Sequence, residues 1–76
     1  MTIYFFVNVD ERYGPPVHVV LQDYRELNPS GDFWQDGDGI YERLDGEPFD
    51  DRQQNWRRIA KPVDVFIAEG GQVEQP

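Results

Sequence analysis

Cysteine is absent, and histidine, serine, threonine and lysine occur once each, as His18, Ser30, Thr2 and Lys61. Without thiols the chain has no disulfide framework and no thiolate metal centre. A tetrahedral zinc site draws on several Cys or His ligands, which one histidine cannot supply. A nucleophilic couple would have to be Ser30 with His18, and it would still need an orienting acid and an oxyanion site. His18 sits in the apolar run VHVVLQ, where a histidine is usually a packing or surface residue. Long apolar runs are missing too, since none approaches the roughly 20 residues that a bilayer-spanning helix needs. The opening MTIYFFVNV is apolar but short, with no basic flank and no small-residue cleavage site, so it reads as a strand and not as a signal peptide. These absences lead us to expect a cytoplasmic protein with no cofactor, no metal, no membrane contact and no catalytic residue.

What is present is acid. The 76 residues hold 15 Asp and Glu against 7 Lys and Arg, for a net charge of −8. The imbalance is local: residues 23–51 contain ten acids against Arg25 and Arg43, whereas residues 52–62 carry Arg52, Arg57, Arg58 and Lys61. A field of that sign repels phosphate backbones and anionic lipid and attracts basic protein surfaces. A chain this short buries only about 60% of its unfolded surface, which permits one small core. We expect a single domain over residues 1–70 and a disordered tail over residues 71–76. A domain of this size is also expected to lack a pocket of roughly several hundred cubic ångströms.

Residues 2–9 are β-branched and aromatic and read as a strand, with Ile3, Phe5, Val7 and Val9 on one face and Tyr4, Phe6 and Asn8 on the other. Residues 17–22 read as a second strand, residues 23–32 as a polar loop that could hold one helical turn, and residues 63–68 as a third clear strand. Between residues 33 and 44, two short extended runs flank Asp36-Gly37-Asp38-Gly39, a hairpin signal. Residues 49–60 place Phe49, Trp56, Ile59 and Ala60 in one helical arc, with Pro48 before it and Pro62 after. The predicted fold is α+β: a mostly antiparallel sheet of three to five strands with one helix packed on one face. Ile3, Phe5, Val7, Val17, Val19, Leu21, Val63, Val65 and Ile67 would form the sheet side of the core, closed by Phe49, Trp56 and Ile59. The opposite face would then carry Tyr4, Phe6, Val20 and Phe66. Either the loop over residues 23–32 covers that patch, or the patch is a self-association surface.

The DGDG stretch resembles part of a calcium loop, but no register fits. With Asp36 and Asp38 at positions 3 and 5, Trp34 occupies position 1; starting at Asp36 instead puts Ile40 at position 5. Two carboxylates also stand where a phosphate-binding loop must be neutral. The basic cluster Arg57, Arg58 and Lys61 fits the C-terminal end of the predicted helix, where cations complement the macrodipole, better than a nucleic-acid surface. What remains is an acidic surface interleaved with aromatics. Its candidate partner-binding residues are Asp32, Trp34, Asp36, Asp38, Tyr41, Glu42, Asp45, Glu47, Asp50 and Asp51. Acids steer a basic partner, and aromatics hold it.

In length, charge, lack of cysteine and the stretch DGDGIYERLDGEPFDD, the chain resembles small phage-encoded inhibitors such as anti-CRISPR proteins and DNA mimics. It is similar in size and sign to acidic immunity and antitoxin proteins that block nucleases. The resemblance implies stoichiometric inhibition of a basic, nucleic-acid-handling protein or complex in a host cytoplasm, without direct nucleic-acid binding. The alternative expectation, from another class, is a small assembly subunit that homodimerises through Tyr4, Phe6, Val20 and Phe66.

Overall fold

Phe6–Asn8 forms the first strand, β1, in a computed structural model that describes residues 4–44 and 56–74. A 3-10 turn at Glu11–Tyr13 leads to β2, His18–Val19, and then to helix α1, Leu21–Leu27. The hairpin strands β3, Phe33–Asp36, and β4, Gly39–Arg43, follow. Strand β5, Trp56–Pro62, and helix α2, Val63–Ala68, close the described fold. The five strands form one antiparallel sheet in the order β2-β1-β5-β4-β3. The α+β class and the mostly antiparallel sheet are therefore as expected, but several segments exchange roles.

The helix expected over residues 49–60 is a strand from Trp56 onward, and its earlier part lies outside the described residues. The spacing of Trp56, Ile59 and Ala60 imitates a helical face because β5 contains a bulge. Arg58 pairs with Tyr41 and Ala60 with Ile40, leaving Ile59 as the extra residue. An extra residue resets the two-residue alternation, so both Ile59 and Ala60 are fully buried. Conversely, residues 63–68 form α2 and not a third clear strand. The ladder between β1 and β5 ends at Phe6 and Pro62, with Val63 N donating to the Phe5 carbonyl at 3.0 Å. Beyond that point the β-branched run has no strand among the described residues to pair with, and context overrides a weak β-propensity. Val65 and Ile67 consequently end up 36% and 55% exposed instead of in the core.

Helix α1 forms where a loop was expected. The Asp23 carboxylate reaches back to accept from the Val20 N–H at 2.7 Å, satisfying one orphan donor of the first turn. The Asn28 N–H closes the last turn on the Tyr24 carbonyl at 2.9 Å, ahead of Pro29. This helix lays Tyr24 over Phe6, Val19, Ile40, Ile59 and Ala60, which form the core. The expected one-sided facing of β1 is not found: Phe6 and Asn8, expected on the outer face, are buried, while Phe5, ahead of the strand, is 63% exposed. Val7 is buried as expected, and Ile3 lies outside the described residues. Residues 71–74 of the expected tail are tied back, with Gly71 N donating to the Phe66 carbonyl at 3.0 Å and Glu74 N to the Pro16 carbonyl at 2.8 Å; residues 75–76 lie outside the described residues. Among the described residues, no helix is long and apolar enough to cross a membrane.

Candidate interaction surface

The β3–β4 hairpin turns over Gly37 and Asp38, and three contacts fix its tip. Asp36 Oδ1 accepts from the Asp38 N–H at 2.7 Å, an Asx turn. Arg58, from β5, donates to the Asp38 carbonyl. Gly39 has φ +148°, and a Cβ there would stand 2.2 Å from the Ala60 carbonyl oxygen. The tip thus rests on β5 at a spacing that only glycine allows.

Behind the tip, Trp34 lies 5.6 Å from the Tyr41 ring and 5.9 Å from the Trp56 ring. Trp34 is 39% exposed, whereas Tyr41 and Trp56 are buried. The exposed indole therefore caps an aromatic stack rooted in β4 and β5, and it presents a rigid apolar face beside Asp36 and Asp38. Burial raises the Tyr41 phenol above its ordinary range, and the Asp36 charge adds to that. Tyr41 stays neutral at physiological pH.

Of the expected partner-binding residues, the structure brings Trp34, Asp36 and Asp38 together at the tip. Asp32 lies on the same strand line, where it is ion-paired with Arg43. Tyr41 is a correction: it is buried beside Trp34, its cross-strand partner, and supports the surface without forming it. Glu42 is also a correction. It pairs with Phe33 across the hairpin and points to the α1 side of the sheet, where it is buried. There its carboxylate accepts from the Tyr13 hydroxyl at 2.7 Å, from Asn28 Nδ2 at 3.4 Å and from Arg12. With those partners Glu42 is an internal counter-ion and not a contact residue. Asp45, Glu47, Asp50 and Asp51 lie outside the described residues.

The expected self-association patch does not form from its four residues. Phe6 belongs to the core because α1 sits on it. Tyr4 stacks on His18 at 5.9 Å, Val20 caps α1, and Phe66 is on α2. The basic cluster is also placed differently, since Trp56–Pro62 is a strand and the helix-dipole reason for its cations falls away. Arg58 holds the hairpin turn, Arg57 stands 3.9 Å from Asp10, and Lys61 donates to Glu69 at 2.7 Å.

Sequence reasoning missed the polar cleft at this end of the sheet. A volume of about 470 Å³ opens between Arg12, Asn28, Asp32, Glu42, Arg43 and Arg57, so small size did not exclude a pocket. Its charges answer one another: Arg12 pairs with Asp10 and Glu42, and Arg43 pairs with Asp32. The Arg12 guanidinium beside Asp10 holds that carboxyl below the usual carboxylate range, against the opposing effect of burial. Burial, then the Glu42 hydrogen bond, raises the Tyr13 phenol. Nothing in the sequence spacing brings Arg12 to Glu42; the sheet order does. Comparison with known protein families, curated proteins and solved structures finds no match for this chain.

Proposed function

We propose that this chain is a non-enzymatic binding protein that docks its β3–β4 hairpin onto a basic, nucleic-acid-handling partner and so inhibits it, in the manner of a DNA-mimic or anti-CRISPR inhibitor. The observation that carries this reading is the grouping of Trp34, Asp36 and Asp38 at a tip braced from beneath by Arg58 and Ala60. Acidic side chains on a braced turn attract a basic groove at long range, and a fixed indole provides the contact that slows dissociation. In sequence, Asp45, Glu47, Asp50 and Asp51 continue the acidic run directly. The net charge of −8 disfavours phosphate as the ligand and favours proteins that bind phosphate. The proposed setting is the cytoplasm of a host cell.

Competition is the test. A partner recovered by affinity capture at low salt should release its DNA or RNA as this chain is titrated in, and release should weaken steeply with salt. A partner that holds nucleic acid and this chain together would overturn inhibition by mimicry.

A further inference from the structure

We propose that the partner's contact segment is an extended basic strand that adds to the free edge of β3 as a sixth strand, an inference that rests on the reading above. β3 is the last strand of the sheet. The Arg43 N–H donates to the Asp32 carbonyl at 3.0 Å, so this pair of the hairpin is a hydrogen-bonded one. Such pairs alternate along an antiparallel ladder, so Trp34 and Asp36 also turn their peptide groups toward β4. Phe33 and Gln35 must then turn theirs to the open edge. Among the described residues, nothing meets those N–H and C=O groups.

Natural edge strands are usually protected by proline, lysine, a bulge or extreme shortness. The other edge, β2, is two residues long. β3 reads Phe-Trp-Gln-Asp and is regularly paired over all four residues, with no proline, lysine or bulge among them; the one charge it carries is the Asp36 carboxylate, which a basic strand would neutralise. An unprotected edge of this kind is the template for strand addition, in which the backbone gives affinity and alternate side chains give specificity.

Charge decides what the added strand carries. Asp32, Trp34 and Asp36 are two residues apart and share one face of β3. Two copies of this chain joined antiparallel about Trp34 would set Asp32 of one opposite Asp36 of the other, twice. Like charges directly opposite destabilise a strand pair. A strand with Lys or Arg at alternate positions turns both repulsions into attractions, and its middle cation lies over the Trp34 ring. Asp32 already has Arg43, which weakens the repulsion between two copies as well as its own attraction for a cation, so Asp36 carries most of the discrimination.

The probe is a capped peptide alternating lysine and threonine, titrated into the full chain by calorimetry and followed by amide hydrogen exchange. The expected result is saturable binding, with the Phe33 and Gln35 amides becoming protected. Gln35→Pro removes an N–H that the hairpin does not use and should weaken binding about tenfold or more, whereas Gln35→Ala should not. Asp36→Lys should weaken it as well. Unprotected Phe33 and Gln35 amides in wild type at saturation would overturn strand addition, whether or not Gln35→Pro folds. So would a folded Gln35→Pro that binds as wild type does; if Asp36→Lys still failed, acidic recognition would stand without it. A wild type that sediments as a dimer and becomes monomeric on Gln35→Pro would make the occupant a second copy and overturn the basic strand. No binding at all would also overturn it, while leaving the competition assay as the separate test of inhibition.

Discussion

The Tyr24 hydroxyl donates to Asn8 Oδ1 at 2.8 Å, with the Ile59 carbonyl 3.2 Å away, so that one phenol on α1 joins β1 to β5. Both side chains are buried, and the Asn8 amide group in turn donates to the Gly14 carbonyl at 2.7 Å and the Asp10 carbonyl at 3.0 Å. Desolvation pushes the Tyr24 phenol well above its ordinary range, so the group remains a donor. A core this small is therefore pinned by a satisfied polar link as well as by apolar contact. Tyr24→Phe should cost about 1–2 kcal/mol, because it removes this buried bond and leaves Asn8 Oδ1 with only the longer one from the Asp10 N–H at 3.3 Å. Denaturant unfolding checks this, and an unchanged midpoint would mean that the link contributes nothing.

Acid should weaken the fold through Asp10. Its folded-state pKa is depressed, first by the Arg12 hydrogen bond, so its contribution is present above the ordinary aspartate value of about 4 and lost as pH falls through the folded value. Below that window, Asp10→Asn and wild type should converge in stability. Urea midpoints measured across the acid range report the difference, which should be largest near neutrality. A constant difference at every pH would contradict the assignment.

The turn should tolerate no side chain at Gly39. A Cβ would stand 2.2 Å from a backbone oxygen, and φ is +148°. Gly39→Ala should cost at least about 2 kcal/mol, whereas Gly37, whose Cβ would meet nothing within 4 Å, should accept alanine at little cost. Paired thermal melts settle the comparison, and equal effects at the two positions would place the constraint elsewhere.

Trp34 should separate folding from recognition. Its ring is 39% exposed, so Trp34→Ala should cost only about 1–2 kcal/mol of stability. The proposed role predicts faster dissociation from the partner with little change in association rate. Surface plasmon resonance distinguishes the two rates, and a slower association alone would contradict an anchoring role.

The hairpin, the class of fold and the acidic tip were legible because Asp36-Gly37-Asp38-Gly39 is a local turn signal between two short extended runs. The roles of residues 56–68 were not legible. A bulge at Ile59 gave a strand the spacing of a helix, and the β-branched run after Pro62 became a helix where its neighbouring strand ended. The inward turn of Glu42 was hidden for a related reason. Its partners Arg12, Tyr13 and Asn28 lie 14 to 30 positions away and meet it only through the sheet order. Likewise, α1 had to be placed before Phe6 could be recognised as core.

The most direct test reverses the tip. Asp36→Lys/Asp38→Lys changes side chains that neither fill the core nor pair with cations among the described residues. It removes the Asx contact at the turn but leaves Gly39 and the Arg58 bond to the Asp38 carbonyl in place. Circular dichroism should therefore stay close to wild type, and Asp36→Asn, which keeps the Asx acceptor, controls for the lost contact. Binding to the captured partner should then fall by several kcal/mol, as like-charge repulsion replaces attraction. A reversed variant that folds and binds as wild type does would contradict the account and leave the hairpin tip as a solubilising turn.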